Sequence, residues 1–303
     1  MKRLTGLIPP VVTIFDKEGH GNWEAMKAHA DYMIRGGVDG LAYLGTSGEF
    51  SVMTQEAKKE LIRNMVPYVK DRVQAVVGIG DTCLENTLEL AEEAERAGAA
   101  GLLAVTPYFS VYGEENVEAY FRYLAEHVHL LLLIYNFPAL TGFDMNPSLV
   151  RRLAEKYPLI MGVKDTVPET EHLKEMLKIK EIKPEFSVFC AYETQALEMI
   201  GEGVDGFVNA TANFAPQFTA HLLKAVSTGK RSEMERAAEN MCRAAQVYEY
   251  GMPLLLAVKE AVYQIMGIRG TEKLPGLPLK EEYRETIKSI LESLQLDSDK
   301  TAA

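Results

Sequence analysis

Cysteine is scarce in this chain: three in 303 residues, Cys83, Cys190 and Cys242, far apart and never spaced as C-x-x-C. That argues against a disulfide framework and against a zinc knuckle, and it fits a reducing cytoplasm. Basic residues are outnumbered, 32 Lys and Arg against 43 Asp and Glu, for a formal net charge of -11. No broad cationic surface is left for a phosphate backbone, so nucleic acid is not an expected partner. Long apolar runs are missing as well. The opening stretch MKRLTGLIPPVV meets Pro9 and Pro10 before a signal-length helix can develop, and no segment reaches membrane-spanning length. The sequence also lacks a Walker lysine, a G-x-S-x-G elbow, and, in GIGDTC, the third glycine that would turn Gly78 and Gly80 into a dinucleotide fingerprint.

What is present is a rhythm. GGVDGLAYLG (36–45), AGAAGLLAVTP (97–107) and EGVDGFVNA (202–210) each place glycine where a helix would stop, then a short turn, then an apolar run suited to a buried strand. Eight such runs can be read, ending at Phe15, Leu44, Val77, Val105, Tyr135, Lys164, Cys190 and Asn209. Helical patterns lie between them, as in TCLENTLELAEEAERAG, where Leu84, Leu88, Ala91 and Ala94 share a face and Thr82 and Glu85 suggest a capping box. The alternation predicts an α/β fold, a (β/α)8 TIM barrel over 1–225, ahead of a doubly wound sheet. Strand signals cease after about residue 225. PLLLAVKEAVYQIMG and LKEEYRETIKSILESLQ predict a helical C-terminal appendage over 226–296, with 297–303 expected to be a disordered tail.

A barrel carries its chemistry at the C-terminal ends of its strands. Tyr135 and Lys164 close consecutive runs, and neighbouring strands lie about 4.8 Å apart, so the two can touch. An amine attacks a carbonyl only when neutral, and a dry barrel mouth favours the neutral form; a phenol one strand away can then shuttle protons. In LGTSGEF, Gly45 and Gly48 bracket Thr46 and Ser47 ahead of an expected helix, a place where N–H groups and hydroxyls converge on a carboxylate. Glu49 reads as a first-turn helix residue, His127 and His129 as surface residues on the opposite face, and ELAEEAERAG as a solvated face.

Taken together, GTSGE, YNFPALTG and GVKDT, in that order, resemble the pyruvate-dependent class I aldolases that include dihydrodipicolinate synthase and N-acetylneuraminate lyase. The likeness runs over roughly residues 6–295. It implies that Lys164 forms a Schiff base, that Tyr135 shuttles protons, and that Thr46, Ser47 and Gly48 hold the pyruvate carboxylate. It also implies homotetramers and no metal or organic cofactor. Two positions depart from the pattern. Leu140 stands where the synthase branch has an arginine for its aldehyde substrate, and Phe109 stands where a neighbouring subunit's tyrosine joins the relay, so that the relay is expected to be shortened, to take water, or to borrow Tyr108 or Tyr112. With those departures the motifs are most similar to the bacterial 2-keto-3-deoxygluconate aldolases, which release pyruvate and an aldehyde. The polyol end is expected near Ala191, Glu193, Thr194, Asn209 and Ala210. The synthase reaction, sialic acid cleavage, keto-deoxy acid dehydration and simple keto-acid binding without turnover are the alternatives.

Overall fold

A computed structural model describes residues 3–296; the expected tail at 297–303 lies outside them. Eight parallel strands are formed: β1 (Gly6–Leu7), β2 (Gly40–Tyr43), β3 (Gln74–Gly78), β4 (Gly101–Val105), β5 (Leu132–Asn136), β6 (Ile160–Asp165), β7 (Ser187–Cys190) and β8 (Gly206–Phe207). They pair in the order β1-β8-β7-β6-β5-β4-β3-β2. Closure comes from the chain after β1, where the Ala42 N–H donates to the Pro9 carbonyl and the Val11 N–H to the Ala42 carbonyl. The predicted barrel is therefore the observed one.

The first strand differs from expectation. It ends at Leu7 rather than Phe15, because Pro9 and Pro10 have no N–H to continue a ladder, and the segment goes on as irregular extended chain. The predicted capping box is also absent. Cys83 occupies the N-cap of the helix Leu84–Ala97 without a side-chain cap bond, and Glu85 instead accepts from Cys83 Sγ at 3.0 Å. That helix buries Thr87, Leu90, Ala91 and Ala94, a face turned slightly from the one expected. Glu93, on its supposedly solvated side, is buried and paired with Arg63 and Arg96.

Strand alternation sorts the apolar side chains into two layers. Val76, Leu103, Val105, Leu133 and Tyr135 pack inside the barrel with Phe189, whereas Val77, Leu102, Ala104, Leu132 and Ile134 face the surrounding helices. The repeated glycines have two physical jobs. Gly37, Gly98 and Gly203 carry positive φ of 94, 88 and 95°, turning the chain out of a helix. Gly206 is needed for contact: a Cβ there would fall 1.9 Å from the Gly6 carbonyl oxygen.

After the last barrel helix, Pro216–Thr228, three more helices follow, Arg231–Ala245, Leu255–Met266 and Glu281–Ser293, with a 3₁₀ stretch at Gln246–Tyr250. Gly206→Ala should cost about 3 kcal/mol or more, since β1 and β8 must separate to admit the methyl. Gly201→Ala, with nothing within 4 Å of the added carbon, should be neutral or stabilising by up to about 1 kcal/mol. Urea midpoints of the two variants check both.

Candidate functional site

The register sets Tyr135 on β5 directly beside Lys164 on β6, both pointing into the barrel. Their burial has different consequences. Tyr135 fills the inner core with its ring, while Lys164, 3% exposed, brings an amine where amines are rarely accommodated. Among the described residues four lysines are buried: Lys58, Lys164, Lys183 and Lys259. Lys58 is paired with Asp81 at 2.7 Å, and Lys259 with Glu49 and Glu272. Lys183 donates to the carbonyls of Ala154, Tyr157, Pro158 and Ile160. Lys164 alone has neither an ion pair nor a hydrogen-bond acceptor among the described residues. Its Nζ lies 3.8 Å from the centroid of the Tyr135 ring.

The phenol continues to the loop after β2, where Thr46 Oγ1 and the Tyr135 hydroxyl share a hydrogen bond of 3.0 Å. Within that loop the Gly48 N–H donates to Gly45 O and the Glu49 N–H to Thr46 O. The amides of Thr46 and Ser47 have no acceptor among the described residues, so a tight turn presents two free N–H groups beside two hydroxyls. Such a nest suits a carboxylate. Gly48 itself does not line the cavity. Its carbonyl accepts from Thr13 Oγ1 at 2.7 Å, and a Cβ would press on Val11 O at 3.0 Å. The expected helix does not follow at once, and Glu49 is not a first-turn residue. It has left-handed backbone, precedes the 3₁₀ turn Phe50–Val52, and is buried against Lys259. The helix proper, Gln55–Val69, is capped by Thr54.

Behind the two strand ends is a polar clamp. Alternation turns Asn136 and Asp165, the residues after Tyr135 and Lys164, outward and opposite each other. Asn136 Nδ2 donates to Asp165 at 2.8 Å and to Asp144 at 2.9 Å; His172, from the helix Thr170–Leu177, reaches Asp165 through Nδ1 at 2.7 Å and Asp144 through Nε2 at 3.4 Å. Burial alone would lower the His172 pKa, but the Asp144 carboxylate beside Nε2 and the hydrogen bond to Asp165 prevail and raise it to about 10.

Lys164, Tyr135, Thr46 and Ser47 line one cavity of about 570 Å³, together with Ala191, Glu193, Thr194 and Ala210. Asn209 does not reach it. Its amide donates instead to Thr211 and Thr219, and more distantly to Glu193 at 3.4 Å. Glu193 Oε1 also accepts from Thr211 Oγ1 at 2.8 Å and from the Tyr248 hydroxyl at 2.5 Å. Burial pushes the Glu193 carboxyl up against the pull of those donors. Sequence reasoning missed the part played here by the C-terminal region, which supplies Gln246, Tyr248 and Glu249 from the 3₁₀ stretch. The polar and aromatic run QVYEY was the available signal. Thr46 also lines a neighbouring cavity with Tyr108, whose hydroxyl is pushed up to about 12 by burial. Phe109 is 95% exposed with φ 75° and Tyr112 is exposed, so of the two expected substitutes only Tyr108 shares a cavity with Thr46. His127 and His129 are exposed on the opposite side, as expected.

The Dihydrodipicolinate synthetase family matches residues 3–294 of the chain. The chain belongs to that family. It is 37% identical to a candidate 2-dehydro-3-deoxy-D-gluconate aldolase of Escherichia coli K12, YagE, over 96% of this chain and 97% of that one. It is 35% identical, with the same coverage, to a candidate 2-dehydro-3-deoxy-D-pentonate aldolase, YjhH, of the same organism. A 4-hydroxy-tetrahydrodipicolinate synthase of Methanocaldococcus jannaschii is 27% identical over 96% and 99%. The crystal structure of YagE in complex with pyruvate superposes with a TM-score of 0.93 at 36% identity, covering 97% of this chain and 99% of that one. Family membership and these relatives make the chain an enzyme, a pyruvate-dependent carbon–carbon lyase.

The clamp has a pH signature. With its folded pKa raised to about 10, His172 contributes stability that is complete below its ordinary value of about 6.5 and is lost as pH rises through about 10. His172→Gln should therefore lower Tm at neutral pH, with the difference from the parent narrowing above about pH 10. Thermal melts across that range would show it; an equal difference at every pH would contradict the clamp.

Proposed function

We propose that this protein cleaves a 2-keto-3-deoxy sugar acid with an uncharged polyol tail, such as 2-keto-3-deoxygluconate, by imine chemistry at Lys164. The observation that carries the reading is the Lys164 amine, buried without an anionic partner against the ring of a tyrosine hydrogen-bonded to Thr46. Thr46 and Ser47 hold the keto-acid carboxylate through hydroxyls and free amides. Lys164 Nζ attacks the C2 ketone, and Tyr135 relays the protons that let the carbinolamine lose water. The iminium then takes up electrons as the C3–C4 bond breaks, while Tyr135 accepts the C4 hydroxyl proton and the aldehyde departs. The remaining enamine is protonated at C3 and hydrolysed to pyruvate, which returns the free amine.

The character of the cavity favours a neutral tail. Lys164 is the one basic side chain among its described lining residues, and the other charged side chains there are the carboxyls of Glu193 and Glu249. Leu140 on the rim offers no cation where the synthase branch would grip a second carboxylate. The names of YagE and YjhH point to the same substrate class.

Pyruvate release should be measured from 2-keto-3-deoxygluconate, its galactonate epimer, the 6-phosphorylated form and sialic acid. A neutral keto-deoxy acid should turn over, and a terminal phosphate should lower kcat/KM by about tenfold or more. Consumption of aspartate semialdehyde with added pyruvate, and no release from any sugar acid, would overturn the substrate assignment. Tyr135→Phe should reduce kcat by roughly 10²- to 10⁴-fold with a smaller change in KM.

A further inference from the structure

The turn that carries Thr46 and Ser47 is constrained from a distant part of the chain. Leu44 and Glu49, at its two ends, have φ of 57 and 58° although neither is glycine. Side chains with a Cβ hold that conformation only under constraint. At Glu49 the constraint is visible. Lys259, fully buried on the helix Leu255–Met266, sets its Nζ 2.9 Å from Glu49 Oε2 and 3.3 Å from Oε1. A second carboxylate, Glu272, reaches the same ammonium at 2.7 Å, and its neighbour Thr271 is tied to Phe15 of the barrel through the Thr271 N–H and the Phe15 carbonyl. The contact transmits to the turn because the Glu49 N–H donates to the Thr46 carbonyl. Rotation of Glu49 out of its left-handed state would displace that carbonyl and, with it, the free amides of Thr46 and Ser47.

An ion triad that served only to dock a helix would not need one member inside the substrate loop in a strained conformation. We propose that Lys259 is a positioning residue for the keto-acid carboxylate: by holding Glu49 it fixes the Thr46–Ser47 turn, so that the docked C-terminal helix sets affinity for the carboxylate end of the substrate. The inference rests on the carboxylate role given above to Thr46 and Ser47. It assigns Lys259 its main effect on binding, because Lys164 is held separately, on a strand clamped through Asp165 and His172, and the turn reaches Tyr135 only through the Thr46 Oγ1 bond.

The test is calorimetric titration of the full-length enzyme with pyruvate, combined with steady-state kinetics on the keto-deoxy acid it cleaves. Lys259→Met should weaken pyruvate binding and raise KM by about tenfold or more, with a smaller fall in kcat. Glu49→Gln, which keeps a hydrogen-bonding side chain of the same length, should shift Kd and KM in the same direction by a smaller factor. The double variant should be no worse than Lys259→Met alone, since both changes act through one contact. If Lys259→Met does not fold, Glu49→Gln decides the matter by the same readout. Folded variants that bind pyruvate as the parent does, with only a lowered Tm, would overturn the proposal and leave the substrate reading intact. A parent enzyme that binds no pyruvate would instead remove the carboxylate site itself, and the proposal with it.

Discussion

The site depends on one contact, the face of the Tyr135 ring against the amine of Lys164. A buried lysine ordinarily survives by finding a carboxylate or a cage of carbonyls, and the other three buried lysines among the described residues do so. At Lys164 an aromatic face stands where a counter-ion would. A ring attracts a cation through its quadrupole without holding it in a hydrogen bond, which leaves the nitrogen lone pair reachable once the proton has gone. The same ring carries the hydroxyl that a proton relay needs, already joined to Thr46. One tyrosine thus packs the barrel interior, shelters the amine and connects it to the carboxylate turn.

The barrel makes that contact possible through strand alternation. Because successive side chains point to opposite faces, Tyr135 and Lys164 enter the barrel together and Asn136 and Asp165 leave it together. The outward pair is then fastened by His172 and Asp144, so the strand ends are fixed from outside while the reacting groups meet inside. The C-terminal helices act on the other wall. They bring Tyr248 to Glu193 and Lys259 to Glu49, contacts spanning 55 and 210 residues of sequence. A barrel alone would present the reacting groups on an open rim; the added helices enclose them.

What the sequence disclosed follows from range. Every strand end but the first, which Pro9 and Pro10 cut short, was legible because buried parallel strands are continuous apolar runs punctuated by glycines, a signal contained within ten residues. Tyr135 and Lys164 could be paired because consecutive strands of a barrel are neighbours and their ends fall on the same rim. Thr46 and Ser47 were readable from their bracketing glycines. The roles of Glu49, Gly48 and Asn209 were not: each is decided by partners on remote segments, Lys259 for the first, Thr13 for the second, Thr219 and Glu193 for the third. Local propensity also misled at Thr82, where a capping box was offered and the chain instead used Asp81 to accept from the Cys83 N–H. The tail pocket was half legible, since Glu193 follows closely after a strand end while Tyr248 and Gln246 come from a region whose sequence showed only helices.

The most direct measurement of the central claim is reductive trapping: the enzyme is mixed with pyruvate and borohydride, weighed intact, and digested to locate the added mass. A single adduct on Lys164, abolished in Lys164→Ala, is the result expected of an amine left free while Lys58, Lys183 and Lys259 are occupied. An adduct on Lys58, Lys183 or Lys259, or trapping undiminished without Lys164, would contradict the account at its root.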